Sequence, residues 1–289
     1  MDNFYTSDWH IHSEWSYDAE LKLDELLERT EKLGITEFGI SDHVNYPFMI
    51  EHLKRARKDF LLHKKDGFHF GVELGTLPKY QLDFAIKNKD KVDVDNPKTY
   101  MYGCTPDIFH LTDVALPLTQ EELAEYGVEY VIGGAHWSFG IPFSKKTIIK
   151  DYQRQQLFLA TDERIDIIAH PWWIYVARNT NKETISYPWY DDFSIIPKSM
   201  HDEFTSAAKE NGKMVEMNLD FIYNNGYTDK FKNQYCEYIR SIFEQGVPIT
   251  IGSDLHSDYR TFQEIAVKYL TAVGFKKEDF SNPKFRTTK

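Results

Sequence analysis

The sequence predicts an α/β protein, a TIM-like (β/α)7 barrel forming a single domain over residues 1–289. Three observations lead there. A short apolar, β-rich run followed by a helix-patterned segment recurs along the chain, giving seven strands alternating with helices, as in a parallel sheet. The ends of those strands carry histidines and carboxylates, and in parallel barrels the C-terminal strand ends meet around one cleft. An open doubly wound sheet is the other solution of this alternation, but no G-x-G-x-x-G turn follows the first strand and no phosphate-cradling G-x-x-x-x-G-K loop is present.

The elements follow in order. "FYTSDWHIH" is the first strand and "LKLDELLERTEKLG" its helix, with leucines at helical spacing and Gly34 as the stop. "ITEFGIS" leads into the helix "IEHLKRARKDFLLHKK", and "FHFGVEL" is the third strand. Residues 76–120 then break the alternation with mixed charge plus Pro97, Pro106 and Pro117, and read as an insertion over one end of the barrel. "VEYVIGGAH" leads to "KKTIIKDYQRQQLFLATD", and "IDIIAHP" is the fifth strand. After a long irregular stretch come the helix "KSMHDEFTSAAKENG", the strand "KMVEMNL" and the helix "DKFKNQYCEYIRSIFEQG". "VPITIGSDLH" is the seventh strand, followed by "RTFQEIAVKYLTAVG".

With 45 acidic against 34 basic residues, the chain lacks the basic surface that displaces counterions from long nucleic acid. No apolar run reaches the roughly 18–20 residues of a membrane span. "MDNFYTSD" has neither the basic nor the apolar part of a signal peptide, and Cys104 and Cys236 do not make a disulfide framework, so a cytoplasmic location is expected.

The chemistry sits at the strand ends. They carry His10 and His12, Asp42 and His43, Glu73, His136, His170, Glu216 and Asn218, and Asp254 and His256. Residues two apart on a strand share a face, so His10 and His12 can converge. Each residue alone has a bland explanation, such as a capped helix or a hydrogen-bonded core histidine; six strands ending in metal-competent side chains do not. Imidazole and carboxylate ligands without thiolates suit zinc, iron(II) or manganese. More ligands than one tetrahedral zinc uses imply more than one ion. Three dications on neutral histidines with Asp18, Glu73 and Asp254 leave a local charge of about +3, attractive to a phosphate dianion. Metal-assisted phosphoester hydrolysis is the expected chemistry.

"HIHSEWSYD", "ISDHVNY", "GVELG", "VIGGAHW", "AHPWW" and "GSDLH", in that order over roughly residues 6–258, resemble the motifs of the PHP (polymerase and histidinol phosphatase) superfamily. The resemblance implies a distorted seven-stranded barrel and three divalent ions. It implies an enzyme of the metal-dependent phosphatase type, acting on a small phosphorylated metabolite such as the L-histidinol phosphate of histidine biosynthesis. By motif, one ion would be held by His10, His12, Glu73 and Asp254, and a second by Asp18, His43 and His256. Glu73 would bridge to a third held by His136 and His170. Some relatives carry histidine at the Asp18 position, which makes Glu14 its rival.

The expected nucleophile is a metal-activated hydroxide, with Asp254 or His256 exchanging a proton near the leaving alkoxide. Arg178 and Arg260 lie downstream of ligand strands and are the expected phosphate clamps, the guanidinium presenting a planar fork; the competing reading of each is a solvated surface arginine. His52, His63, His69 and His201 read as surface histidines, and Asp42 either orients a histidine or caps a helix. Two other functions fit less well: a phosphodiesterase or nuclease on short nucleotides, and a non-catalytic metal-binding regulatory module.

Overall fold

The computed structural model describes residues 4–88, 113–139, 144–173, 177–178, 184–185, 192–223, 226–257 and 263–286. Seven strands lie side by side in chain order and pair in parallel: β1 (Ser7–Ile11), β2 (Glu37–Ile40), β3 (Phe68–Gly75), β4 (Tyr130–Gly134), β5 (Ile167–Ile168), β6 (Met214–Asn218) and β7 (Ile249–Gly252). The last strand returns to the first. His12 N–H donates to the Leu255 carbonyl at 2.9 Å and Asp254 N–H to the His10 carbonyl at 2.8 Å, so the sheet nearly closes. All seven predicted strands are present, and the α/β barrel class is borne out.

The surrounding helices are α1 (Leu23–Leu33), α2 (Ile50–His63), α3 (Lys79–Asn88), α4 (Gln120–Glu125), α5 (Lys145–Thr161), α6 (Lys198–Glu210), α7 (Asp229–Glu244) and α8 (Gln263–Ala272). Gly34 stops α1 as expected, with φ of 66° and its N–H on the last carbonyls of the helix. Thr119 and Ser144 close capping boxes at the starts of α4 and α5. Val131, Ile168, Val215, Met217, Ile249 and Ile251 face outward into one core with helix residues such as Leu159, Phe204 and Ile239. No helix among the described residues is long and apolar enough to cross a membrane. Of the 76–120 stretch, the described parts include α3 and a small antiparallel pairing of Leu77–Pro78 with Val114–Ala115, and α4 begins at its end. Residues 89–112, with Pro97, Cys104, Pro106 and His110, lie outside the described residues.

Trp9, Tyr130, Ile132, Ile167, Ala169 and Met214 pack together inside the barrel. The Tyr130 ring lies across β2 and β3 where a Cβ on Gly39 or Gly71 would strike it, so those two glycines make its berth. Its hydroxyl donates to the Trp9 carbonyl at 2.9 Å, and the Trp9 and Tyr130 rings meet edge-on at 5.5 Å. A register shift between Asp8 and Ile11 lets the consecutive residues Trp9 and His10 both reach interior partners. The barrel is thereby plugged below the ends of its strands.

Candidate metal centre

Above that plug, the interior becomes polar. His10 and His12 stand with their Nε2 atoms 3.0 Å apart, both fully buried. Glu73, on the inward face of β3 and fully buried, is the hub. Its Oε2 lies 3.1 Å from His10 Nε2, 3.5 Å from His12 Nε2 and 2.9 Å from His43 Nδ1. Its Oε1 lies 3.0 Å from both His136 Nε2 and His170 Nε2. Asp254 Oδ1 lies 3.4 Å from the Nε2 atoms of both His10 and His12. At the rim, Asp18 Oδ2 lies 3.5 Å from His43 Nε2 and 3.7 Å from His256 Nε2. Every residue of the expected ligand set is therefore in one place. The rival Glu14 is exposed, as Asp18 itself is, but it is the Asp18 carboxylate that faces the His43 and His256 rings.

The local backbone explains this convergence. His10 is the penultimate residue of β1 and His12 follows the strand directly; His43 pairs with Glu73 in a short ladder beside β3. His136, His170 and Asp254 each sit two residues past the end of a barrel strand. His170 and Asp254 hold left-handed backbone, with φ of 27° and 55°, which is costly for non-glycine residues and tends to mark functional positions. Gly134 and Gly252 leave the necessary room, since a Cβ on either would enter the carboxylate of Glu73 or Glu216.

The electrostatics are those of a site made for cations. Burial alone would raise the Glu73 carboxyl, but His43, His10 and His136 outweigh it and hold it well below its usual range. Asp254 is held down in the same way, by His10 and the hydrogen bond from His12. Burial and the neighbouring His256 and His43 push the His12 ring well below its ordinary value. Burial lowers the His10, His43 and His170 rings too, but Glu73, Asp254 and their neighbours outweigh it and raise all three, so the ion-free cluster holds protons that a bound divalent ion would displace. His10 Nδ1–H donates to Glu216 at 2.7 Å and His256 Nδ1–H to the Asp254 carbonyl at 2.9 Å, so each ring turns its Nε2 toward the cluster. The Nδ1 atoms of His12, His43, His136 and His170 are buried without a hydrogen-bond partner, although His43 Nδ1 is 2.9 Å from Glu73. Three residue trios bring candidate ligand atoms within 4.8 Å of one another: His10, His12 and Glu73; His12, His43 and His256; His43, Glu73 and His136. The residues present fit a multinuclear ion site.

The loop carrying Asp18 is fixed from below. Asp42 does not touch a histidine ring or cap a helix; its carboxylate accepts from Ser13 N–H at 2.6 Å and Ser13 Oγ–H at 2.7 Å. Trp15 Nε1–H donates to Asp59 at 2.9 Å, and His52 Nδ1–H to the Trp15 carbonyl at 2.9 Å. His52 thus has a tethering contact beyond the surface role expected of it. His201 is half-buried rather than a free surface residue: its ring lies among Trp172, Phe193 and Tyr238. Glu216 and Asn218 were legible as strand-end residues, but nothing local assigned them partners. Of the expected phosphate clamps, the side chain of Arg178 and all of Arg260 lie outside the described residues.

A family model described as "PHP domain" matches residues 8–220. The chain belongs to the PHP domain family. Asp254 and His256 lie beyond the matched range, yet they complete the cluster in space. A protein from Clostridium acetobutylicum named "Probable histidinol-phosphatase" is 23% identical over 271 residues, 86% of each chain. One of the same name from Thermotoga maritima is 44% identical over 39 residues, 14% of this chain and 17% of its own. The fold is similar to the crystal structure of histidinol phosphate phosphatase from Lactococcus lactis, complexed with zinc, L-histidinol and phosphate, with a TM-score of 0.54 and 15% identity over 98% of this chain and 99% of that one. The sequence reading of membership in the PHP family is borne out by the family model, and that of a barrel like a histidinol phosphatase's by the solved structure.

Proposed function

We propose that this PHP protein is a metal-dependent phosphatase that hydrolyses a small phosphate monoester at a trinuclear site, with L-histidinol phosphate the first substrate to test. The observation that carries the proposal is the Glu73 carboxylate, approached within 3.5 Å by five histidines, three on one oxygen and two on the other. A single structural ion needs no such bridge, and structural sites are closed and four-coordinate. Similarity to phosphatases by name and fold supports the substrate class.

His10, His12, Glu73 and Asp254 would hold one ion, Asp18, His43 and His256 a second, and His136 and His170 a third shared through Glu73. Bound zinc, iron(II) or manganese supplies positive charge at the phosphoryl oxygens and acidifies water toward neutrality. The protein's own part is positional. Glu73 and Asp254 remain anionic, and the tautomers of His10 and His256 are set by their Nδ1–H bonds. His256 and Asp254 reach the opening beside Asp18, their side chains 33% and 11% exposed against its 27%, and one of the two can pass a proton to the departing alkoxide. Arg178 and Arg260 are the proposed clamps on the phosphate.

The test is phosphate release by ion-loaded protein from p-nitrophenyl phosphate, its bis ester and L-histidinol phosphate. Monoester turnover should exceed diester turnover, vanish on chelation and return with zinc, manganese or iron(II). A loaded protein inert toward every monoester, or faster on the diester, overturns the reading.

A further inference from the structure

We infer that Glu216, steadied by Asn218, is the positioning residue of the His10 side of the centre: its carboxylate sets how tightly the ions are held without touching the substrate. This rests on the ion-binding reading above.

Glu216 and Asn218 stand two apart on β6, share its inward face and are buried to 1% and 0% exposure. Glu216 Oε1 accepts from His10 Nδ1–H at 2.7 Å. Its Oε2 accepts from the His170 main-chain N–H at 2.7 Å and from Asn218 Nδ2 at 3.1 Å. The same Asn218 nitrogen donates to Asp254 Oδ2 at 3.0 Å, and Asn218 Oδ1 accepts from Asp220 N–H at 2.9 Å. A single pair on one strand thus holds candidate ligand residues from three others: the ring of His10, the backbone of His170 and the carboxylate of Asp254. Two of these three have left-handed backbone. Room for the carboxylate exists because residue 252 is glycine; a Cβ there would overlap Glu216 Oε1.

The chemistry follows from the hydrogen-bond inventory. An anionic partner on His10 Nδ1–H keeps the proton there, aims the Nε2 lone pair at Glu73 and Asp254, and raises its basicity as a ligand. Three donors converge on Glu216, and a carboxylate accepts at both oxygens. Glutamine in its place keeps the volume but replaces one acceptor by a donor, so it cannot satisfy His10 Nδ1–H, His170 N–H and Asn218 Nδ2–H together.

The test compares full-length wild type, Glu216→Gln and Asn218→Ala by three measurements: Zn2+ affinity by competition with a chromophoric chelator, thermal melting of the ion-free proteins, and the visible absorption of the Co2+-loaded forms. The expected result for E216Q is a loss of about 10- to 100-fold in Zn2+ affinity with an altered Co2+ spectrum, while the ion-free melting temperature stays close to that of wild type. N218A should lose less affinity in the same direction. Wild-type affinity in E216Q overturns the inference, as does a lowered ion-free melting temperature with an unchanged Co2+ spectrum, which would mark a purely structural role. Should E216Q fail to fold, N218A is judged by the same outcomes. Wild-type protein that binds no Zn2+ would instead remove the ion-binding reading itself, and the inference with it.

Discussion

The barrel interior has two levels built on opposite principles. The lower level, Trp9, Tyr130, Ile132, Ile167, Ala169 and Met214, is apolar and closely fitted, with Gly39 and Gly71 shaped to the Tyr130 ring. The upper level crowds Glu73, Glu216 and Asp254 with His10, His12, His43, His136 and His170 into a largely buried space, and gives His170 and Asp254 unfavourable backbone conformations. Burial of apolar surface stabilises the first level directly. Burial of so many ionisable groups stabilises little by itself, because desolvation offsets the attraction among them. The difference teaches that one level holds the fold and the other is held by it.

The largest effect separating the two levels should come from Glu73→Gln. Losing the shared carboxylate should lower phosphatase turnover by at least about 10²- to 10³-fold, the scale of removing one preorganised electrostatic group. The ion content, read by elemental analysis, should fall with it, while the ion-free protein should melt near the wild-type temperature. A collapse of ion-free stability would mean the upper level also holds the fold, and the contrast would fail.

Tyr130→Ala makes the reciprocal cut. It empties a ring-sized volume beneath the site and leaves two glycines facing a void, which should cost about 3–5 kcal/mol of unfolding free energy in a denaturant titration. The folded fraction should keep its ions. A variant as stable as wild type would show that Trp9 and its neighbours are not a closely packed floor.

The contrast also explains what the sequence could and could not disclose. Periodicity is a local property, so the seven strands, their helices and the Gly34 stop were readable, and the candidate ligand residues other than Asp18 were readable because they stand near strand ends. Partners that exist only after closure were not. Glu216 is 206 residues from the His10 ring it supports, and no local pattern connects them. The glycines at 39 and 71 look like ordinary strand residues until register sets them against Tyr130. The shift between Asp8 and Ile11, which brings Trp9 and His10 to the interior together, leaves no signature in residue type. Asp42 sits beside a ligand histidine in sequence but turns to Ser13, a choice made by the fold of the following loop.

The smallest expected effect concerns a histidine that obeys the rules of the lower level although it lies outside the barrel. His201, on α6, packs its ring against Tyr238 at 4.3 Å and Phe193 at 5.6 Å, and its Nδ1 is buried without a partner. Burial depresses its pKa to about 4, against an opposing effect of Asp202 and with a still smaller contribution from Lys198. Between about pH 6.5 and 4 the unfolded chain takes a proton that the folded chain refuses, so this residue makes stability fall as the pH drops through that window. Above it the contribution is constant. His201→Phe keeps an aromatic ring and removes the titration. The variant should therefore gain on wild type by about 1–2 kcal/mol between neutral pH and pH 4, and should do so equally with and without bound ions. An equal loss of stability in both proteins over that range would mean the ring titrates as freely folded as unfolded; a gain seen only in loaded protein would tie it to the metal centre and blur the division between the two kinds of histidine.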